Sequence, residues 1–411
     1  MKNATRMAAA VVCRIVGGGS VTLEICSRCF CVVEIFRNSR GARIILARSS
    51  SEVTGIWFMI ADSKRLKVVL IPPEEWLPSI KNFVHVECPD PVVFFEFLAE
   101  HHGVDVELMD PHVPKWMPLV HRHPIYRGLD PVRAIKVLFF RRNVDVVVSV
   151  FESSATVLSF LREWFPFRPK LIMWDIAPDE VWRPRRWLQN ITVPRVDNIL
   201  LLSSQQQSYL ETRWHSGDKA KMIWQSVDTR FYEPEPAQPM GPVLAIGDDH
   251  GRDWPTLIEA LAPLDIDLVL KTRSKITIPE GARLRVRQIS KRLSFRELRD
   301  LYAKASIVVI PLSETLNVSG VGSVLEAMAM GKALVISDNP PIRDYLEPGK
   351  TADVVPVGDA LTLRKAVKAL LADHERMVEM GRFARERVVH LYGNEALAHR
   401  FAAALRDICR S

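Results

Sequence analysis

The stretch "NVSGVGSVLEAMAMGKALVISD", residues 317–338, places two glycines at the start of an apolar helical pattern. The run before it, "IVVIPL", predicts a buried strand, and "SVLEAMAM" predicts a helix that ends at Gly331. Gly320 and Gly322 lack a Cβ atom, so a ligand can approach the backbone there. Ser319 is the predicted N-cap. Because the first amides of a helix have no internal partner and lie at the positive end of its dipole, the segment favours phosphate.

Glu326 is the one acid inside this helical pattern, about two turns from its start. If the helix amides hold a phosphate, this carboxylate faces the same ligand and can accept hydrogen bonds from ribose hydroxyls. The alternative is a helix start packed tightly against its own sheet, with Glu326 in solvent. The spacing of these residues alone leaves both interpretations open.

Short apolar runs separated by segments of helical length extend on both sides of this stretch. The predicted strands are residues 67–71, 104–108, 144–150, 170–174 and 196–202, then 243–246, 266–270, 307–310, 333–336 and 353–357. Near-continuous apolar strands alternating with helices indicate parallel sheets covered on both faces. We therefore predict an α/β protein with two Rossmann-like, doubly wound domains facing a cleft, and ligands at the carboxyl ends of both sheets.

The predicted organisation follows from breaks in this alternation. Proline is dense in residues 226–242, which predicts a linker between a first domain, 66–225, and a second domain, 243–385. Residues 386–411 are predicted to form a C-terminal helix that packs back toward the first domain. Residues 1–65 are an extension of unknown structure. They could be a small additional element, a membrane-surface attachment or a segment of little structural consequence.

Composition sets broad limits on the class of protein. The 411 residues are 48% hydrophobic and 25% charged, as is usual for a globular protein of two domains. Arg14 interrupts the N-terminal apolar run, and no run reaches the ~18 apolar residues of a membrane span, which predicts a cytoplasmic protein. The formal charge of +7 fits phosphorylated or acidic-membrane partners, or a basic surface with no such partner. Cys26, Cys29 and Cys31 lack a matched fourth ligand, so idle thiols are expected and no metal site is predicted.

Several motifs besides the opening stretch lie in a characteristic order. They are "VLAIGDDHGRDWPTLIEALAPL" (243–264), "LRDLYAKASIVVIPL" (298–312), "VVPVGDALTLRKAVKALLAD" (354–373) and "MGRFARERV" (380–388). Together they resemble the retaining GT-B glycosyltransferases of the family 4 type (glycosyl transferases group 1), over roughly residues 66 to 405. The resemblance implies a GT-B fold with an acceptor-side first domain and a donor-binding second domain. It also implies a nucleotide-diphosphate sugar as co-substrate, with no cofactor and no bound metal.

The resemblance also implies a role for individual donor-site residues. Glu326 matches the glutamate that binds the nucleotide ribose. The predicted phosphate site comprises Ser319, Gly320, Val321 and Gly322, with Arg252 and Lys271 as basic candidates for the diphosphate. Arg252 and Lys271 could equally be surface charges. Val318 stands where the family commonly has a second glutamate, so the residues that bind the donor sugar are undefined.

Two acids are candidates on the acceptor side. Glu152 follows the strand "DVVVSV" and Asp175 follows "KLIMW", at positions where the family often shows a histidine. Carboxylates there could orient an acceptor hydroxyl or remove its proton, so both acids are catalytic candidates. The alternative is a pair of loop acids that cap the helices after them.

The leading functional prediction is a glycosyltransferase of the hexosyl-transferring type, acting on a saccharide or lipid-linked acceptor in cell-surface polysaccharide or glycolipid synthesis. The alternatives are a non-catalytic GT-B protein that binds sugar nucleotides, and a GT-B isomerase or phosphorylase. Arginines interleave with aromatic residues at 121–142, 164–170 and 181–187. These segments could rest on an anionic membrane surface, which predicts peripheral attachment at its inner face, or form a solvated basic face. No nucleic-acid partner is predicted.

Overall fold

The computed structural model describes residues 31–37, 43–49, 65–72, 94–109, 129–141, 143–176, 183–235 and 241–411. The chain divides into two compact units, Met1–Arg65 and Leu66–Ser411. In the first unit, strands β1 (Cys31–Arg37) and β2 (Arg43–Ser49) pair antiparallel. The predictions made for Arg14, Cys26 and Cys29 lie outside the described residues.

The second unit begins with a parallel six-stranded sheet. Its strands are β3 (Leu66–Ile71), β4 (Val104–Leu108), β5 (Val146–Val150), β6 (Lys170–Trp174), β7 (Asn198–Leu201) and β8 (Ala220–Met222). The helices between them are α1 (Phe94–His102), α2 (Pro131–Phe140), α3 (Glu152–Leu161), α4 (Arg183–Arg195) and α5 (Ser204–Trp214). The strand order is β4–β3–β5–β6–β7–β8. Apolar clusters cover both faces, which explains the continuous apolar strands.

A second parallel six-stranded sheet follows. Its strands are β9 (Val243–Ile246), β10 (Asp267–Lys271), β11 (Arg285–Ile289), β12 (Ile307–Ile310), β13 (Ala333–Ser337) and β14 (Asp353–Val355). The helices are α6 (Trp254–Leu261), α7 (Phe295–Lys304), α8 (Val321–Ala329) and α9 (Ala360–Ala372). The strand order β11–β10–β9–β12–β13–β14 reverses direction between β9 and β12. Doubly wound sheets bind ligands at this switch point, outside the carboxyl ends of the strands.

Two helices close the chain, α10 (His374–Leu391) and α11 (Asn394–Arg410). Helix α11 lies on the first sheet, where Leu397, Phe401 and Leu405 belong to the same buried cluster as the β3 side chains. Of the predicted linker, residues 226–235 pack against the second sheet and place Phe231 and Tyr232 in its core. Residues 236–240 lie outside the description.

The predicted architecture of two Rossmann-like, doubly wound sheets is confirmed. Strands β8 and β11 were not predicted, for a physical reason. Strand β11 is the outer strand of its sheet and reads "RVRQI", so its largely exposed side chains give no continuous apolar run. Strand β8 is also an edge strand, of the first sheet, and it is only three residues long. Within the described residues, no helix has both the length and the apolar character to cross a bilayer.

Candidate functional site

A pocket of about 600 Å³ opens at the switch point of the second sheet. Four parts of the chain line it: the end of β9, the end of β10, the segment after β11 together with the first turn of α7, and the first turns of α8. The lining residues are Ile246, Gly247, Asp248, Lys271, Arg273, Arg292, Leu293, Leu298, Gly322, Ser323 and Glu326. The pocket therefore lies where the strand order predicts a ligand.

The amino end of α8 forms one wall of this pocket. Gly320 is the N-cap, with φ +81°, and the first bond of the helix runs from the Val324 amide to the Gly320 carbonyl. The amides of the three residues between them therefore have no partner inside the helix. The prediction of Ser319 as the N-cap is wrong, because the left-handed turn at Gly320 shifts the cap by one residue and no side chain caps the helix.

Gly322 lines the pocket, and the protein atoms around it leave room for a side chain. A Cβ atom there would come no closer to the protein than 4.0 Å, at Nε2 of Gln225. At Gly320, a Cβ atom would lie 3.1 Å from Nη1 of Arg252 and 3.1 Å from Cδ2 of Leu312. Gly320 is thus needed for the turn and the packing, whereas Gly322 leaves space on the pocket side.

Arg252 lies behind the amino end of α8 and is not among the pocket-lining residues. Its side chain is 2% exposed, with Nε donating to Asp249 Oδ2 at 2.9 Å and Nη2 donating to Ser323 Oγ at 3.0 Å. Buried Nη1 has no hydrogen-bond partner. The guanidinium lies against Gly247: a Cβ atom added to this glycine would be 2.0 Å from Nε of Arg252. Its positive charge therefore lies behind the predicted phosphate site, inside the protein.

Basic side chains line the opposite side of the pocket. Lys271 ends β10 and is 8% exposed, and its Nζ lies 3.3 Å from Oδ2 of Asp248. Arg273 is exposed and lies 3.2 Å from the same oxygen. Burial alone would raise the pKa of Asp248, but the Arg273 amide and the two cations lower it, so this carboxylate is ionised. Arg292 is exposed and has no ion pair with another described residue. These three cations suit a polyanionic ligand.

Glu326 faces the pocket from the second turn of α8, between two tyrosine hydroxyls. Tyr302 donates to Oε2 at 2.8 Å, and Tyr232 donates to Oε1 at 3.2 Å. Burial raises the pKa of Glu326 to about 7, although both hydroxyls and the charge of Arg252 act in the opposite direction. Each carboxylate oxygen keeps acceptor capacity beyond its tyrosine bond, so the group can still receive ligand hydroxyls.

The two acids predicted for the acceptor side have different environments. Asp175 follows β6 with φ +67°, and its Oδ1 accepts from the Ile176 amide at 2.8 Å and from Gln206 Nε2 at 2.6 Å. Glu152 is 2% exposed and accepts from Nε2 of Gln189, a fully buried residue of α4, at 2.7 Å. The prediction that Glu152 meets the cleft is wrong: as the first residue of α3 it turns into the packing against α4.

The carboxyl edge of the first sheet meets the second domain close to the pocket. The Tyr345 hydroxyl donates to the Leu202 carbonyl at 2.6 Å and accepts from the Gln225 amide at 2.9 Å. Leu202 and Gln225 follow the last strands of the first sheet, and the Gln225 side chain approaches Gly322. Asp175 and the predicted phosphate site therefore belong to edges that face each other.

Sequence reasoning missed several residues of the site: Tyr232, Arg273, Arg292, Tyr302 and Ser323. A usable signal existed for the two arginines, because each follows the carboxyl end of β10 or β11 by a few residues. No such signal identified the tyrosines, whose contact with Glu326 joins distant parts of the chain. Among the described residues, no group of three or more His, Cys, Asp or Glu side chains could hold a metal ion.

One family model matches part of the second domain. Residues 266–373 match the family model described as glycosyl transferases group 1, a range that contains Lys271, Arg292 and Glu326. No curated protein matches the sequence closely enough to count as a relative.

Solved structures share the fold along almost their whole length. Sucrose-phosphate synthase from Thermosynechococcus elongatus superposes with a TM-score of 0.62 at 19% identity, covering 84% of this chain and 99% of that one. HepE of Anabaena, solved with UDP and glucose, gives 0.58 at 15% identity, with 82% and 99% covered. WaaG, a glycosyltransferase involved in lipopolysaccharide biosynthesis, gives 0.56 at 15%, with 82% and 99% covered. The chain therefore has the GT-B glycosyltransferase fold and carries a group 1 glycosyl transferase domain in its second half.

Proposed function

We propose that this chain is a glycosyltransferase that moves a sugar from a nucleotide-diphosphate sugar to an acceptor hydroxyl, with retention at the anomeric carbon. One observation carries the proposal: a single pocket joins the amino end of α8, three cations and Glu326. Free helix amides and cations suit a diphosphate. A carboxylate beside them suits the hydroxyls of the attached ribose. The group 1 domain match over the same residues supports this choice.

In the proposed reaction, the protein acts mainly by stabilising the leaving diphosphate. The bond from the anomeric carbon to the diphosphate breaks, and the acceptor oxygen forms its new bond on the same face of the sugar. Negative charge then grows on the diphosphate, where the α8 amides and Lys271 stabilise it without moving, because the fold already holds them in place. No protein nucleophile is required.

Asp175 is the acid that we propose for the acceptor side. It lies at the carboxyl edge of the first sheet, and Gln206 fixes its carboxylate with a bond of 2.6 Å. A carboxylate held at this edge can orient the acceptor hydroxyl and take its proton. Glu152 is left out of the proposed mechanism, because its burial against α4 leaves no surface for an acceptor.

We further propose a hexosyl donor and a saccharide or lipid-linked acceptor, in cell-surface polysaccharide or glycolipid synthesis on the cytoplasmic side of the membrane, without a cofactor or bound metal. The HepE structure contains UDP and glucose, and WaaG is involved in lipopolysaccharide biosynthesis. These two similar folds make UDP-sugars and glycolipid acceptors the first compounds to test.

Calorimetry with UDP, GDP and ADP tests the donor site. We expect one nucleotide to bind, and Glu326→Ala to weaken it about tenfold or more, because a hydrogen bond to a charged group contributes roughly 1.5–3 kcal/mol. Glu280→Ala changes an exposed acid outside the pocket and serves as the matched control. Unchanged affinity in Glu326→Ala, or no binding of any nucleotide by the unaltered protein, would contradict the proposal.

A non-catalytic protein that binds sugar nucleotides is the second candidate, because the burial of Glu152 leaves one acid fewer at the acceptor edge. Donor turnover separates the two candidates. A glycosyltransferase releases nucleoside diphosphate from its donor, faster when an acceptor is added, and the anomeric proton of the product reports retention by NMR. A protein that binds the donor but never releases its sugar, across a panel of acceptors, is a binding protein.

A further inference from the structure

Helix α2 of the first domain turns an apolar face to solvent. Its inner positions, including Ala134, Val137 and Leu138, are buried against the sheet. On the outside, Val132 is 38% exposed, Ile135 45%, Phe139 42% and Phe140 72%. These positions are three, four and one residues apart, so they form one outward stripe of the helix. A helix that is apolar on both sides normally has a second partner.

The stripe continues onto the end of α3 and the turn after it. The ring of Phe165 packs edge-on against that of Phe139, at 5.6 Å between centroids. Phe160 is 51% exposed and Trp164 is 73% exposed in the same region. We call the whole set the aromatic face: Val132, Ile135, Phe139, Phe140, Phe160, Trp164 and Phe165. It holds half of the large apolar side chains that are exposed among the described residues, so it is a concentrated patch rather than scattered exposure.

Positive charge surrounds the aromatic face. A pocket of about 310 Å³ beside it is lined by Arg141 and Arg168, and a neighbouring one of about 370 Å³ is lined by Lys67 and Arg141. Lys136 lies exposed on α2 itself. Lys67, Lys136 and Arg168 form no ion pair with another described residue.

Two acids near this surface are paired with arginines. Glu107 accepts from Arg141 at 2.9 Å, and Glu163 accepts from Arg195 at 2.7 Å. The surface therefore combines exposed aromatic and aliphatic groups with cations that form no ion pair within the described part of the chain.

We propose that the aromatic face and its flanking cations bind the surface of an anionic phospholipid bilayer. Aromatic and aliphatic side chains gain by entering the boundary between headgroups and acyl chains, while lysine and arginine pair with lipid phosphates. A symmetric dimer through this face would bring the same unpaired cations of two copies together. A nucleic acid could stack on the rings, but the exposed Val132 and Ile135 would gain nothing from it.

The attachment of α2 determines where this surface lies on the first domain. Nη1 of Arg133 donates to the Pro72 carbonyl at 2.6 Å and to the Met109 carbonyl at 2.9 Å. Those carbonyls follow β3 and β4, so the start of α2 is held at the carboxyl edge of the first sheet. Helix α2 runs from this edge to the opposite one, where Phe140 precedes β5 and Lys67 lies at the start of β3. A bilayer bound to the aromatic face would therefore contact the outer side of the first domain, and its densest contacts would lie at the amino edge of the first sheet. Membrane binding itself does not depend on the proposed donor site.

Sedimentation with vesicles tests the proposal on the full chain. We expect the protein to sediment with vesicles of equal parts phosphatidylcholine and phosphatidylglycerol, and not with phosphatidylcholine alone. The double substitution Phe140→Ser and Trp164→Ser should lower the partition coefficient by about tenfold or more, since two exposed rings no longer enter the lipid. Leu361→Ser with Leu391→Ser is the matched control, because it removes two exposed apolar residues of the second domain.

A second variant tests the charges. Lys136→Gln with Arg168→Gln should weaken binding to the anionic vesicles by about fivefold for each cation removed. It alters exposed charges only, so it carries the test if the double aromatic variant fails to fold. UDP affinity should be unchanged in both variants, which separates this proposal from the donor site.

Three results would overturn the proposal. The first is no sedimentation with anionic vesicles, and the second is equal sedimentation of the unaltered protein and both variants. The third is a stable dimer, or a complex with single-stranded nucleic acid, that the aromatic substitutions abolish while vesicle binding persists.

Discussion

Glu326 is a carboxylate that the folded protein holds partly in its neutral form. Burial raises its pKa to about 7, so the folded state binds this proton more tightly than the unfolded chain does. The resulting stabilisation is complete below the unfolded pKa of about 4.3 and is lost as the pH rises through about 7. We therefore expect the ligand-free protein to lose up to ~4 kcal/mol of unfolding free energy over that range from this group.

Chemical unfolding at several pH values, with Glu326→Gln as the comparison, isolates this effect. The amide has the shape of the protonated acid but does not titrate, so the variant should keep its stability where the unaltered protein declines. Other titrating groups are common to both proteins and cancel in the difference. Parallel stability curves for the two proteins would show that Glu326 titrates near its ordinary pKa.

Gly320 and Gly322 should respond in opposite ways to the same added methyl group. Gly320→Ala places a Cβ atom at φ +81° and 3.1 Å from Leu312, which should cost about 1–3 kcal/mol of stability. Gly322→Ala meets nothing closer than 4.0 Å inside a helix, so stability should hold or rise by up to ~1 kcal/mol. Its methyl group would enter the pocket, however, and nucleotide-diphosphate affinity should fall. Unfolding and calorimetry on both variants measure the contrast, and a fully active Gly322→Ala protein would contradict it.

One buried cation adds to the apolar contacts that attach helix α2 to the first sheet. Arg133 is 4% exposed, and besides the two carbonyls it pairs with Asp130, the N-cap of the helix. Arg133→Leu would leave these acceptors without a donor, and we expect a loss of about 3–5 kcal/mol in unfolding free energy. Arg133→Lys keeps the charge but reaches fewer acceptors, so its loss should be smaller. Hydrogen exchange along α2 would show whether this helix loosens first; equal exchange in both proteins would argue against the anchor.

The sequence predicts elements well where burial dictates composition. Strands β9, β12 and β13 are buried at every position, so their apolar runs identified them. The predicted bounds match β9 and β12, while β13 extends one residue further, to Ser337. Strand β11 failed this criterion because one side of it faces solvent. The N-cap of α8 was predicted wrongly for another reason. A glycine in the left-handed conformation can precede a helix as well as a serine whose side chain caps it. Nothing in the residue types distinguishes the two in advance.

The sequence predicted those residues of the candidate site that lie on locally recognisable strands, turns and helices. Glu326, Gly322 and Lys271 lie on elements whose sequence shows the strand, turn and helix that carry them. The burial of Arg252 and Glu152 depends on partners from other elements, Ser323 and Gln189, which no spacing rule connects to them. Long-range packing therefore decided which predicted residues reach the pocket.

At the scale of the whole molecule, the proposed reaction needs two sheet edges to meet. The donor pocket is lined by the second domain alone, whereas Asp175 belongs to the first. The edges are joined through Tyr345, and beside it Asp344 accepts from the amide and the hydroxyl of Ser204, at 2.6 and 2.7 Å. Ser204 is the first residue of α5, so an acid of the second domain neutralises the amino end of a first-domain helix. This junction ties the position of the acceptor edge to that of the donor pocket.

Tyr345→Phe tests whether this junction aligns the two domains for transfer. The substitution keeps the ring, which is fully buried in the second core, but removes the hydroxyl that joins Leu202 to Gln225. We expect UDP affinity to change little, because no pocket-lining residue is altered, whereas the transfer rate should fall tenfold or more, since a poorly positioned acceptor loses the advantage of proximity. Small-angle scattering should show a larger radius of gyration as the domains separate more often. Tyr302→Phe, which removes a hydroxyl from Glu326 instead, should give the reverse pattern of weaker nucleotide binding and unchanged scattering. If Tyr345→Phe transfers sugar at the full rate, the junction only adds stability and the alignment of the two edges has another source.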